Sequence, residues 1–196
     1  MTASARDVAA ALRQRLPGVG AKKLHKLLYY GQGHHVATFG QPLFNEGIAA
    51  YDMGPVVATL WAEEKYGAPD DTLPPEPLTE AELNTIGYVV SRYGNLTGND
   101  LEVLTHGEPP WQKADQNRRP RESAPILLEW IREYFSTAGS PAAGDDLPLD
   151  SDAITEWLAN ASERYQARYG STPAGAHDEY QQLVAMRDEL AARRGT

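Results

Sequence analysis

Apolar residues recur at helical spacing along most of this 196-residue chain. Spacings of three and four residues place side chains on one face of an α-helix, whereas a half-buried strand needs strict alternation. The clearest stripe predicts a helix over residues 21–39 and consists of Leu24, Leu27, Leu28 and Val36. Gly31 and Gly33 lie inside this helix, where they indicate close packing of another backbone. We therefore expect a mostly α fold built around a compact helical domain.

Residues that cap helices mark where further helices begin. Ser4 is expected to cap a short helix that runs through Arg15. Two later starts have the form of a capping box, in which two residues spaced by three exchange hydrogen bonds with each other's backbone. These starts are Thr79 with Glu82 and Thr97 with Asp100. The cap signals therefore predict several short helices after the long one.

A short segment after the long helix departs from the helical pattern. Residues 42–44 and 48–51 predict a short β-hairpin whose turn lies at residues 45–47. Gly54-Pro55 then predicts the start of another helix, because proline is tolerated in the first turn. The buried side of that helix is expected to carry Val56, Val57, Leu60, Trp61 and Tyr66. Pro109-Pro110-Trp111 is expected to interrupt the chain before a last helix over residues 124–135.

The stretch STAGSPAAGDDLPLD, at residues 136–150, contains almost no large apolar side chain. It predicts a linker over residues 137–150 that joins a helical domain at 1–136 to a C-terminal unit at 151–196. Apolar stripes at helical spacing predict a C-terminal helical hairpin in this unit. Because two helices alone cannot bury both stripes, the pair must dock on the main domain, on a second copy or on a partner. The candidate partner-binding residues are Trp157, Tyr165 and Tyr180.

The net charge of −9 argues against a general nucleic-acid-binding protein. The first thirty residues nevertheless carry six bases and one acid, whereas residues 31–105 carry two bases and eleven acids. The basic end is either an electrostatic docking patch or a solvated helix face. The acidic surface around residues 63–82 would suit a basic partner, such as a toxin that acts on RNA.

Targeting and redox features are absent from the sequence. The chain has no cysteine, which excludes disulfides and thiol chemistry. Charged residues interrupt the first sixteen positions, so no secretory signal is predicted. No stretch has the roughly 20 apolar residues that a membrane-spanning helix needs. These features predict a soluble, cytoplasmic protein without membrane insertion.

Residues that could carry catalysis or bind a cofactor are poorly placed for it. His34 and His35 lie about 100° apart on a helix, and no HxxxH, HxH or ExxH spacing occurs. Each histidine is therefore expected at the surface or its boundary. The chain has no GxSxG, and Gly31-Gln32-Gly33 lacks the further glycine of a dinucleotide-binding motif. Glu108 beside His106 could form an acid–base pair, although an exposed carboxylate is the commoner case. We predict no enzyme, no metal and no cofactor.

Three sequence motifs follow one another between residues 23 and 114. They are KLHKLLYYGQG at 23–33, GQPLF at 40–44 with YDMGPVV at 51–57, and LTH at 104–106 with PWQKA at 110–114. In this order they resemble the Panacea domain, the SocA-like antitoxin family, over about residues 21–135. His25 and His34 depart from the family, which often has Gln and an aromatic residue there. The motif residues that we expect to be structural are Lys23, Leu24, Leu27, Tyr29, Tyr30, Gln32, Gly33, Pro42, Leu43, Gly54, Pro55, Val56, Leu104, Thr105, His106 and Trp111.

The resemblance implies an antitoxin that is encoded beside a toxin and neutralises it by direct protein contact. Members of the family are paired with very different toxins, so the motifs indicate the scaffold and not the target. The family has no established catalytic residues. Two alternatives remain: a protease adaptor that delivers the toxin for degradation, and an unrecognised enzyme that reverses the toxin's product. The resemblance ends before Asp150.

Overall fold

The computed structural model describes residues 2–66, 76–116, 118–119 and 121–137. The helices are α1 (Ala5–Arg15), α2 (Ala21–Phe39), α3 (Ala58–Tyr66), α4 (Glu80–Tyr93), α5 (Gly98–His106), α6 (Pro109–Asp115) and α7 (Leu128–Ser136). The strands are β1 (Ile48–Tyr51), β2 (Gly54–Val57) and β3 (Ala124–Ile126). The predicted mostly α fold is confirmed. The C-terminal hairpin, with Trp157, Tyr165 and Tyr180, lies outside the described residues.

Helix α2 is the central element of the fold. It packs against α1, α4, α5 and α7, and β2 covers it from the sheet side. Every residue from 24 to 36 is buried, so the helix is enclosed on all its faces. It ends at Gly40, whose φ of 71° is left-handed and whose N–H donates to the Val36 carbonyl. The predicted bounds of this helix are confirmed.

The predicted helix starts are confirmed at three caps. Ser4, Thr79 and Thr97 each accept a hydrogen bond from the backbone three residues later, and the acidic side chain there accepts one in return. Such caps stabilise a helix by about 1 kcal/mol each. The Glu82 carboxylate also accepts a bond from the Ala3 N–H at 3.2 Å, which ties the start of α1 to the start of α4.

The hairpin prediction is wrong in its placement. Strand β1 pairs with β2, with Ile48 opposite Val57, and the chain turns at residues 52–53 rather than 45–47. Gly54 follows the turn with φ of 94°, a conformation that favours glycine. In the strand order β2-β1-β3, β2 is an edge strand, where the missing N–H of Pro55 is tolerated. Gly54-Pro55 therefore begins a strand, and α3 begins only at residue 58.

Two prolines explain the remaining differences in element boundaries. The predicted helix over residues 124–135 is wrong at its start, because residues 124–126 pair with β1 as β3. The residue before a proline avoids the helical region, which keeps Ala124 extended before Pro125. Pro109 does not interrupt the chain, because it occupies the first turn of α6.

The two glycines of α2 pack against side chains, so the prediction of a neighbouring backbone is wrong. A Cβ atom on Gly33 would lie 2.4 Å from Cδ2 of the Phe135 ring. A Cβ atom on Gly31 would lie 3.1 Å from Cδ2 of Leu43. Glycine at 33 therefore lets α7 approach α2 closely.

Replacing Gly33 by alanine tests this close approach. We expect Gly33→Ala to lower the free energy of unfolding by about 1–3 kcal/mol, because the added methyl overpacks a filled interior. Gly87→Ala in α4 is the matched control, since a Cβ there meets no heavy atom within 4 Å. The control should raise stability by about 0.5–1 kcal/mol through helix propensity. Urea unfolding measures both, and equal effects at the two positions would contradict the packing explanation.

Candidate functional site

A buried carboxylate lies at the centre of the domain. Glu108 is 3% exposed, and its Oε1 and Oε2 accept hydrogen bonds from Tyr30 Oη at 2.8 Å and Tyr29 Oη at 2.7 Å. The Tyr30 ring stacks on Tyr93 at 4.0 Å between centroids, and Tyr93 Oη lies 2.9 Å from His34 Nε2. Burial raises the pKa of Glu108 to about 7, although the two tyrosine hydroxyls favour its charged form.

This carboxylate does not form the acid–base pair considered from the sequence. The His106 ring stacks on Trp111, with 3.8 Å between centroids, and Glu108 bonds to the two tyrosines instead. The expectation that Glu108 is exposed is wrong. Glu108 therefore connects α2 to the start of α6 through two hydrogen bonds.

The histidines of the described residues are buried, so the prediction that they lie at the surface or boundary is wrong. They are His25, His34, His35 and His106. Burial lowers the pKa of His25 to about 4 and that of His34 to about 3, which keeps both rings neutral near pH 7. In the part of the chain that the structure describes, no three acidic or histidine side chains are grouped to hold a metal.

All three sequence motifs meet at one buried lysine. Lys26, from the first motif, donates from Nζ to the Pro55 carbonyl of the second at 3.3 Å. A Cβ on Gly54 would lie 2.9 Å from Lys26 Cε and 3.0 Å from Oγ1 of Thr105 in the third motif. Burial lowers the pKa of Lys26 to about 7, and the Glu102 carboxylate opposes that shift. The motifs thus build one joint between α2, β2 and α5.

Most of the other motif residues lie in the interior. Gln32 holds the chain before β1, because its side chain donates to the Phe44 carbonyl and accepts from Leu43 N and Phe44 N. Trp111 Nε1 donates to the Tyr51 carbonyl at 3.3 Å. Lys23 and Pro42 are half-buried. The buried motif residues are Leu24, Leu27, Tyr29, Tyr30, Gln32, Gly33, Leu43, Gly54, Pro55, Val56, Leu104, Thr105, His106 and Trp111.

Helix α3 instead turns its aromatic side chains to solvent. Leu60 is the buried residue of this helix, whereas Trp61 is 36% exposed and Tyr66 is 75% exposed. Lys65 Nζ lies over both rings, 4.6 Å from the Trp61 centroid and 5.1 Å from that of Tyr66. Large exposed aromatic side chains next to one another are typical of protein-binding surfaces.

The β1–β2 hairpin extends this exposed area. The Tyr51 ring lies 6.2 Å from that of Trp61, and Met53 in the adjoining turn is 55% exposed. We call Tyr51, Met53, Trp61, Lys65 and Tyr66 together the α3 surface.

The prediction that Trp61 and Tyr66 lie on the buried side of their helix is wrong. It assumed a helix that starts at Gly54-Pro55, whereas α3 starts at residue 58. A buried stripe that begins at Leu60 needs apolar residues three and four positions later, and both of those are glutamates. That signal was present in the sequence.

Residues 24–112 match the family model described as Antitoxin SocA-like, Panacea domain. This segment of the chain is a Panacea domain. The resemblance of the three motifs is therefore confirmed, and the joint at Lys26 lies within the matched residues. Neither the curated proteins nor the solved structures include a significant match to this chain. The Panacea domain supports an antitoxin role and, in general terms, a toxin as partner.

The basic N-terminal end does not form a free docking patch on the Panacea domain. Arg13 pairs with Glu64, and Lys22 Nζ lies 2.8 Å from Glu102 Oε2. Lys23 Nζ donates to the Gly94 carbonyl at 2.6 Å, and Lys26 is the buried lysine of the joint. Four of the six bases thus bond within the domain. No helix among the described residues is long and apolar enough to span a bilayer.

Glu108→Gln should change how the stability of the Panacea domain depends on pH. The pKa of this carboxyl is 4.5 in the reference state and about 7 in the fold. Between these values the folded chain binds more protons than the unfolded chain, so wild-type stability falls relative to the variant as pH rises. At about 1.4 kcal/mol per pKa unit, the relative change is about 3 kcal/mol.

Urea unfolding of both proteins between about pH 4.5 and pH 7.5 measures this difference. His25 and His34 titrate in this range only in the unfolded chain, because burial lowers the pKa of both below it in the fold, and their contribution is common to both proteins and cancels in the comparison. If the two proteins differ in free energy of unfolding by the same amount at every pH, the raised pKa of the buried Glu108 carboxyl is contradicted.

Proposed function

We propose that this protein is an antitoxin that neutralises a cognate protein toxin by direct protein–protein binding, and that the α3 surface contacts the toxin. One observation carries the proposal. Most motif residues of the Panacea domain lie in the interior, whereas Trp61 and Tyr66 are exposed on the helix that directly follows the Gly54-Pro55 strand.

The chemistry of these side chains suits a protein partner. Tryptophan and tyrosine dominate the residues that contribute most to binding at protein interfaces, because they bury a large area with few rotatable bonds. Trp61 and Tyr66 offer such area, and the exposed Met53, in the turn that follows Tyr51, has a flexible side chain that adapts to irregular partner surfaces.

The support of the α3 surface favours tight binding. Strand β2 precedes α3 directly, pairs with β1 along its length, and accepts the Lys26 bond from α2 at Pro55. The hairpin part of this surface is held by these contacts and therefore loses little conformational entropy when it binds. We propose further that the toxin is encoded by an adjacent gene, that the complex forms in the cytoplasm, and that neutralisation involves no catalysis by this chain.

Loss of the α3 aromatics should abolish neutralisation while the fold is retained. We expect co-expression of the wild-type chain to rescue growth from the adjacent gene's product, and the two proteins to co-purify. Trp61→Ala with Tyr66→Ala should weaken binding at least tenfold, because truncated hot-spot residues each cost 1 kcal/mol or more. Phe39→Ala is the matched control: Phe39 is 48% exposed, and fourteen helical residues, about 21 Å, separate it from His25 beside α3.

The control should bind and rescue as the wild type does. If the double variant rescues growth as well as the wild type does, the α3 surface is not part of the toxin interface. Rescue without any detectable complex would point instead to an enzymatic antitoxin. Rescue with loss of the toxin from cells would favour the protease adaptor.

We propose that residues 151–196 contribute to specificity through Trp157, Tyr165 and Tyr180. A chain that ends at Pro141 distinguishes this role from a structural one. If the shortened protein keeps its helical circular dichroism but loses rescue, the C-terminal pair recognises the toxin. If it unfolds, the pair belongs to the core. A folded, fully neutralising truncation would contradict the proposal and leave the α3 surface as the site of contact.

A further inference from the structure

Helix α3 is held against the rest of the domain by different chemistry in its first turn and in its second turn, residues 62–66. Leu60 is the buried residue of the helix and packs the first turn into the core. Glu64 follows four residues later, so its side chain lies on the same face of the helix as Leu60. An apolar residue at this position would continue the buried stripe. The chain instead directs a carboxylate at the domain from the second turn.

Side chains from α1 and α2 face this carboxylate. Arg13 of α1 forms an ion pair with Glu64 Oε1. The His25 ring of α2 accepts the N–H of Val57 at Nδ1, so its own ring hydrogen is on Nε2. That Nε2 is buried and lies 3.8 Å from Glu64 Oε2, which is longer than a hydrogen bond. Both oxygens of Glu64 are thus directed at N–H groups of the domain.

Burial does little to hold the second turn. No residue from 62 to 66 is buried, and Tyr66 is 75% exposed. The pairing of β1 with β2 and the Lys26 bond to Pro55 support the hairpin and the start of α3, but they end before this turn. The direction of the second turn therefore depends on the polar contacts of Glu64.

We propose that Glu64 is the positioning residue of α3: through Arg13 and His25 it holds the second turn against α1 and α2, and the turn opens locally when the carboxylate loses its charge. Segments with few buried contacts are the ones that open most readily. The contact holds Trp61 and Tyr66 in one arrangement, which reduces the entropy lost when they bind. This consequence for toxin binding rests on the proposed function, whereas the role of Glu64 within α3 does not.

Hydrogen exchange in the full chain measures opening of the second turn. The amides of residues 62–66 donate to carbonyls four residues earlier and exchange when this turn opens. Glu64→Gln keeps the size of the side chain and removes its charge. We expect it to lower the protection factors of these amides about two- to fivefold, the range for loss of an exposed ion pair. NMR spectroscopy resolves the amides one by one.

Glu63→Gln is the matched control. Glu63 is a carboxylate in the same turn, and no ion pair joins it to a residue that the structure describes. A negative charge near the C-terminal end of a helix opposes the helix dipole. Its removal at position 63 should therefore leave the protection factors unchanged or raise them slightly, whereas the same change at position 64 should lower them.

Variants of Arg13 test whether the two side chains act together. Arg13→Gln should lower the same protection factors. Its addition to Glu64→Gln should change them no further, because both variants lose one ion pair. Exchange of the charges, in Arg13→Glu with Glu64→Arg, should return protection to within about twofold of the wild type. A role in packing alone would not be rescued by this exchange.

The proposal is overturned if Glu64→Gln protects the second turn as well as Glu63→Gln does, or if the effects of Arg13→Gln and Glu64→Gln multiply. If exchange changes as expected while loss of Trp61 and Tyr66 leaves neutralisation intact, Glu64 positions α3 but the α3 surface is not the toxin interface. If loss of both aromatics abolishes toxin binding while Glu64→Gln leaves exchange unaltered, the proposed function stands and the role of Glu64 falls.

Discussion

The carboxylate of Glu108 accepts hydrogen bonds from Tyr29 and Tyr30, and the rest of the domain is arranged around this contact. Neighbouring residues on a helix point about 100° apart, so Tyr29 and Tyr30 can share one acceptor only if it lies between their two directions, close to the helix. The buried hydroxyls need partners, and a single carboxylate with two oxygens satisfies both. This requirement explains why the chain folds back after α5 to deliver Glu108 against the middle of α2.

A second buried polar group, the Lys26 ammonium, lies in the N-terminal half of the same helix. A lysine that is 1% exposed needs an acceptor and a compensating charge, and here it has the Pro55 carbonyl and the nearby Glu102 carboxylate. Because β2 supplies that carbonyl, α2 holds the sheet edge from which α3 departs. The exposed aromatics of α3 are thus carried by a scaffold in which the buried Glu108 carboxylate and Lys26 ammonium both have polar partners.

The sequence predicts the starts of α1, α2, α4 and α5 well, because apolar periodicity and capping residues are local signals, whereas prolines misplace the starts of α3 and α7 and hide α6. The bounds of α2 and the caps at Ser4, Thr79 and Thr97 needed no knowledge of neighbours. The strands depend on partners that are distant in sequence: β3 is three residues long and pairs with β1 about seventy-five residues earlier. The burial of Glu108 could not be predicted either, because a glutamate before two prolines carries no local sign of two tyrosines far away in the chain. The exposure of Trp61 could have been predicted from the sequence, because the glutamates at 63 and 64 rule out a longer apolar stripe from Leu60.

The complete enclosure of α2 also governs when the domain can first exist during synthesis. Residues 21–39 leave the ribosome early, but Phe135, which packs on Gly33 and beside Tyr29, is made almost a hundred residues later. Until α7 is made, α2, the longest helix among the described residues, lacks one of the elements that cover it. The nascent protein then exposes apolar surface of the kind that proteases and chaperones recognise. For the proposed antitoxin function, translation has to pass residue 136 before the helical domain can be complete, so the order and relative rate of synthesis of this protein and its proposed partner bear directly on that function.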